Sequence, residues 1–403
     1  MGSTTDIYTH LQTAYTKAAK AAPALQQRFE MAGVDPGRIA SVVDLSCLPV
    51  LKKEQLLDLQ RQDPPFGGYL AARFSDLSRI YVSPGPIFEP TLQGSAGHGM
   101  DTLFRAAGVG AEDVVLNTWM YHLVPAGLLF DEAAQAVGAT VIPGGVGNRE
   151  LQAQIIVETG VTTICASTAF FMALADTVIN NYGHEAWKVK TAFLGGEMGD
   201  WAAKRRKIEK TYGVSTWSAY ATADLGMVGY EDGGEGYRIQ RRRIVQICDP
   251  VTGQPKSFGE VGEVVVTTLD PDAWPMIRFG TGDSAYALEQ TGDGTVTRLS
   301  ALQGRVGDAV KVREIFVYPR AIEEVVIATA GLVRAQAIAT RENDRDVIRI
   351  RAVISGGHDA TATEAAVMET FQRVARIRLD RFDIVEAGQL KEGEALILNQ
   401  KDV

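Results

Sequence analysis

Between residues 7 and 34 the apolar positions recur at helical spacing: Leu11, Ala14, Tyr15, Ala18 and Ala22 fall on one face, and Leu25, Phe29 and Met31 extend it. This spacing predicts one amphipathic helix. Ile80-Tyr81-Val82 is a short β-rich run that feeds a loop punctuated by Pro84, Gly85, Pro86 and Pro90. Beyond it the pattern alternates between two periods. Residues 99–107, 127–137 and 149–159 read as helices, and residues 113–117, 139–143 and 162–166 as short apolar strands. Strands apolar throughout and separated by helices predict a parallel sheet covered on both faces.

From Val214 the pattern turns to β, with strands over 244–247, 262–267 and 285–288 and turns at Asp249-Pro250 and Thr291-Gly292-Asp293-Gly294. Gly304-Arg305-Val306-Gly307 opens a last segment. It reads as strand 309–316, helix 319–328, strands 334–340 and 347–354, helix 360–377 and strand 381–385. The expected fold class is α/β in two domains: a large multi-sheet domain over 1–303 and a small α+β domain over 304–403.

Composition narrows the function. An apolar fraction of 46% in 403 residues suffices for a large core. The net charge of −9 argues against nucleic acid as partner, since a phosphate backbone needs a basic surface. Arg238, Arg241, Arg242 and Arg243 form the one notable basic cluster, read as a solvated strand edge or turn, with an anion patch as the alternative. Cys47, Cys165 and Cys248 are too few and too scattered for a zinc motif or a disulfide framework, and Cys165 reads as a small core residue. Residues 1–13 carry neither a basic stretch nor an apolar one, so no signal peptide is expected. No apolar run is long enough for a membrane span, and a cytoplasmic location is the default.

The candidate chemistry lies in three motifs. Residues 83–91 read Ser-Pro-Gly-Pro-Ile-Phe-Glu-Pro-Thr, and residues 220–224 read Tyr-Ala-Thr-Ala-Asp. Residues 274–283 read Trp-Pro-Met-Ile-Arg-Phe-Gly-Thr-Gly-Asp, and are followed by Gly304-Arg305-Val306-Gly307-Asp308 and Tyr318-Pro319-Arg320-Ala321-Ile322-Glu323-Glu324. Together with the Leu48-Pro49-Val50 segment running to Gln60, these resemble, in order, the motifs of adenylate-forming (AMP-binding) enzymes. The version they are most similar to is that of the phenylacetate–CoA ligases, S-S-G-T-T-G-K-P-T, Y-G-x-T-E, I-R-Y-R-T-G-D, G-R-x-D-D and F-P-x-x-I-E-E-V. The resemblance runs from Val42 to Leu396.

The resemblance implies a large N-terminal domain with a mobile C-terminal lid, and a ligase that joins a small carboxylic acid to a thiol through an acyl-adenylate. It implies ATP or AMP, CoA and Mg²⁺ as ligands, and a homodimer. Ser83, Gly85, Glu197, Tyr220, Ala221, Asp224, Asp283 and Arg305 would hold the nucleotide. Tyr121, His122, Phe170, Gly195 and Gly196 would line the acyl pocket, and Gly307 would be the hinge. Several of these have plain alternatives. Asp283 could cap a turn after Gly282, Arg305 could pair with a nearby acid, the pocket aromatics could be core, and His122 could be a satisfied polar group.

The departures are concentrated where the family's chemistry lies. Both half-reactions move negative charge against a polyanion, so cations must neutralise it. Glu89 stands where the resemblance expects the phosphate-loop lysine, and Glu394 where it expects the adenylation lysine. Ala223 replaces a hydroxyl, Gly280 an arginine and Glu314 a glycine. The cysteine-rich zinc site of part of the family is missing between 229 and 303, and no metal ligands are predicted. Three readings follow: an active acid–CoA ligase, a non-catalytic relative that binds an acyl, nucleotide or CoA-like ligand, or a different reaction in which acids such as Glu89 carry protons.

Overall fold

The computed structural model describes residues 4–92, 99–195, 201–270, 273–302, 304–306, 310–313, 315–317, 319–342, 345–375, 377–391 and 394–401. It divides into two compact units, one formed by residues 1–83 and 87–304, the other by 84–86 and 305–403.

The first unit is built around a five-stranded parallel sheet in the order Thr140–Pro143, Val114–Asn117, Thr163–Ser167, Thr191–Gly195, Ser215–Trp217. Its strands send alternate residues into two separate cores. Leu116, Ile164, Ala166, Ala192 and Leu194 join one cluster, while Val115, Cys165 and Phe193 join the other. Burial on both faces is why the middles of these strands carry consecutive apolar residues. The helices Arg149–Thr159 and Thr168–Tyr182 contribute to the first cluster, and Asp101–Ala106 and Ala126–Ala136 to the second.

Two further sheets complete this unit. One aligns Leu51–Lys52, Phe279–Ala285, Gly262–Thr268 and Arg243–Cys248; the other is antiparallel, from Ala287–Gln290 to Ala219–Thr222. A separate hairpin pairs Leu77–Ser83 with Ile87–Leu92. The second unit is a four-stranded sheet, ordered Arg381–Ile384, Arg345–Ile354, Leu332–Glu342, Ile397–Gln400, carrying the helices Pro319–Ala328 and Ala360–Ala375.

Three expectations need correction. The helix over 7–34 is two helices, Thr4–Ala21 and Pro23–Ala32, because Pro23 lacks an N–H and leaves Ala22 extended at φ −116°. The strand over 309–316 is a tight hairpin, Val310–Val312 with Ile315–Val317, turned at Arg313 with φ 47°. The arginine cluster is not uniformly solvated: Arg241 and Arg242 are exposed, whereas Arg243 reaches the Leu225 carbonyl and burial lowers its pKa to about 10.

Candidate active site of the first unit

Glu89 lies inside the protein. Its strand, Ile87–Leu92, is clipped to the helix Lys53–Gln62 by Gln60, whose side chain donates to the Phe88 carbonyl and accepts from the Phe88 N–H, both at 2.8 Å. This clip holds the Glu89 side chain on the buried side, where it is 2% exposed. There Ser83 Oγ donates to Glu89 Oε1 at 2.6 Å. Asp224, in the turn between Ala219–Thr222 and Gly226–Tyr230, is within side-chain hydrogen-bonding reach of Glu89. Lys53, in the first turn of the clipped helix, donates to Asp224 Oδ2 at 2.7 Å.

Four groups therefore converge: two carboxyls, an ammonium and a hydroxyl. Burial pushes the Glu89 carboxyl well above its ordinary range, and the Asp224 charge pushes it further; Lys53 and the Ser83 hydrogen bond oppose this. Two like unit charges about 4 Å apart repel by roughly 4 kcal/mol at an effective dielectric near 20, which disfavours ionising both acids. Glu89 Oε2 and Asp224 Oδ1 are buried and accept no hydrogen bond from any described residue.

Tyr220 and Asp283 form a second pair. The Tyr220 hydroxyl donates to Asp283 Oδ2 at 2.9 Å, and both residues are buried. Asp283 lies within the strand Phe279–Ala285, and its N–H donates to Thr281 Oγ1. Gly280, on the same strand, has no room for a side chain. A Cβ there would fall 2.5 Å from Glu263 Oε1 and 2.9 Å from Val50 Cγ1. Arg278 is a structural clamp: 1% exposed, it donates to the carbonyls of Ser46, Leu48 and Gly253.

Around the parallel sheet, Tyr121 accepts from Asn117 Nδ2 and donates to Asp131 Oδ2, each at 2.8 Å. Trp119 stacks on Phe130 at 6.0 Å and lies over Gly195, where a Cβ would be 3.3 Å from its ring. Its buried Nε1–H donates to no described residue. Phe170 packs partly against the core, and His122 is exposed.

No family model matches the chain. The phenylacetate–coenzyme A ligase of Thermus thermophilus is 27% identical over 350 residues, covering 83% of this chain and 77% of the relative. That of Escherichia coli is 28% identical over 320 residues, covering 76% and 71%. The chain is phenylacetate–CoA ligase-like. Among solved structures, 2-hydroxyisobutyryl-CoA ligase in complex with 2-HIB-AMP and CoA superposes with a TM-score of 0.87 at 20% identity, covering 98% of this chain and 89% of that one. The amide bond synthetase McbA of Marinactinospora thermotolerans gives 0.57 at 15% identity, covering 94% and 90%. The fold is that of the adenylate-forming ligases.

In this phenylacetate–CoA ligase-like chain, Ser83, Glu89 and Asp224 are brought together, as are Tyr220 and Asp283. Gly85 sits in the turn between the hairpin strands, and Ala221 is exposed. Gly196, Glu197, Gly307, Asp308 and Glu314 lie outside the described residues. Arg305 and an exposed Glu394 belong to the second unit. Among the described residues, no three acid, histidine or cysteine side chains are grouped to hold a metal.

Sequence reasoning overlooked Lys53 and Trp119. Lys53 is the lysine of the Leu48-Pro49-Val50-Leu51-Lys52-Lys53 segment, so its motif was visible although its destination was not. The cluster does not fit a triphosphate. Among the described residues Glu89 Oε2 and Asp224 Oδ1 are buried acceptors, and Lys53, the lysine of the cluster, donates to Asp224 Oδ2.

Proposed function

We propose that this chain binds a small, aromatic-sized carboxylic acid together with a nucleotide- or CoA-like ligand, and that ATP-driven adenylation has been lost from its cleft. One observation carries this: Glu89, at the position of a phosphate-loop lysine, is buried against Asp224 and Ser83. Charge that should attract a polyphosphate is replaced by groups that accept hydrogen bonds. The nucleoside end is less altered, since Tyr220 and Asp283 keep a ring and a carboxylate side by side. Tyr121, Trp119 and Phe170 are the aromatic candidates for the acid; the relatives named phenylacetate–CoA ligases support an aromatic one.

The same reading takes a homodimer from the resemblance, and sets the −9 charge against a nucleic-acid partner. Among the described residues no helix is long and apolar enough to cross a membrane; a cytoplasmic location is part of the proposal.

A second reading has one observation in its favour. Lys53 brings an ammonium into the cluster from the neighbouring helix, and an active acid–CoA ligase could use it in place of the missing lysine. ATP–pyrophosphate exchange with a panel of aryl and short-chain acids separates the two. The proposal expects no acid-dependent exchange, with melting shifts for AMP and for some acids. Acid-stimulated exchange supports the second reading and contradicts the first.

A further inference from the structure

Each acid of the buried cluster has one oxygen served and one oxygen left over. Ser83 donates to Glu89 Oε1 and Lys53 to Asp224 Oδ2, whereas Glu89 Oε2 and Asp224 Oδ1 receive no donor from any described residue. Both residues are more than nine-tenths buried, at 2% and 5% exposure, and their side chains are within hydrogen-bonding reach of each other. A buried acceptor without a donor is rare because it forfeits its hydration. Here two occur side by side.

Charge counting gives the same result as hydrogen-bond counting. With both acids ionised, the Lys53 ammonium balances one and, among the described residues of the cluster, leaves a single uncompensated negative charge in the interior. One proton removes that charge and supplies the missing donor to both oxygens at once. We propose that Glu89 and Asp224 bind one proton in common, so that this site holds a proton where the resemblance expects a phosphate. Glu89 carries it on Oε2 and donates to Asp224 Oδ1, while Asp224 remains the carboxylate held by Lys53.

The surrounding groups agree with this assignment. Asp224 faces Glu89 from its turn, Lys53 from the clipped helix, and Ser83 from the paired strand. Tyr81 is the direct cross-strand neighbour of Glu89, and burial keeps its phenol protonated beyond its ordinary range. A divalent cation bridging the two oxygens is the rival occupant. Among the described residues it would face the Lys53 ammonium and only two carboxylates, and a metal site normally gathers more ligands than that.

The functional meaning of the dyad rests on reading this hairpin as an altered phosphate loop; the proton count does not. Infrared spectra of the parent and of Glu89→Gln, in H₂O and D₂O at neutral pH, test it directly. The parent should show a deuterium-sensitive carbonyl band of a buried carboxylic acid that is lost in Glu89→Gln. Melting across pH gives an independent reading. A carboxyl raised on folding adds stability that is complete below the unfolded carboxyl pKa of about 4.3 and is lost as pH rises through the folded value. Glutamine stays neutral throughout, so the melting temperature of Glu89→Gln should gain on the parent steadily as pH rises above that point. Should Glu89→Gln not fold, Asp224→Asn provides the comparison, and the parent's own band must still fade at high pH. Absence of the band overturns the proposal. So does a melting difference that is flat in pH, or a Mg²⁺-induced stabilisation of the parent at neutral pH that Glu89→Gln lacks. A band present in a protein that also catalyses pyrophosphate exchange would leave the proton dyad standing and remove only the functional reading.

Discussion

Charged side chains inside this protein are held in two different ways. Arg278 is held by backbone carbonyls, those of Ser46, Leu48 and Gly253. Glu89 is surrounded by other side chains that can themselves titrate or donate, which is the arrangement that active sites use. Replacing Arg278 with methionine strips three carbonyls of their donor, and at about 1–3 kcal/mol for a buried unsatisfied group should lower stability by about 3 kcal/mol or more. Urea unfolding of Arg278→Met reads this, and a loss below about 1 kcal/mol would show that water replaces the guanidinium. At this scale the sequence was informative about identity and poor about partners. Glu89 stood out because its motif names the residue that ought to be there. Lys53 did not, because nothing in the sequence sends a lysine on a helix toward an aspartate 171 positions away.

Among the elements, the helix Lys53–Gln62 has the most to do with the site. It presents Lys53 at its first turn and Gln60 near its last, so one rigid rod fixes both the cation and the strand that carries Glu89. Gln60 makes a two-way hydrogen bond with the Phe88 backbone while 3% exposed. Gln60→Ala should therefore cost about 1–3 kcal/mol, and hydrogen exchange at the Phe88 amide should rise well above that of the sheet strands. Unchanged exchange there would mean the strand is held by other contacts. Three strands of the parallel sheet were legible in the sequence because burial on both faces writes consecutive apolar residues into them, whereas Thr191–Gly195 and Ser215–Trp217 were not read as its strands. The N-terminal helix was misread as continuous because apolar spacing persists across Pro23, and periodicity alone does not register a missing N–H. The hairpin turned at Arg313 was hidden for a related reason: its turn residue adopts a positive φ without being glycine.

On the scale of the whole molecule, an adenylate-forming fold extends over nearly the full chain, while acids stand at positions 89 and 394, where the resemblance expects lysines. Fold and chemistry can part in this way because the sheets are stabilised by apolar burial that the site residues hardly share. On the proposed function the protein should recognise the acid and nucleoside parts of the expected ligands but not the triphosphate. Glu89→Lys restores the expected cation beside Asp224 and removes the buried acid in one step, and isothermal titration with ATP compares it directly with the parent. Glu89→Lys should bind ATP at least tenfold more tightly than the parent, about 1.4 kcal/mol, well inside what one added positive charge at such a site can supply. ATP affinity that is equal or weaker in Glu89→Lys, with both proteins folded, would contradict it.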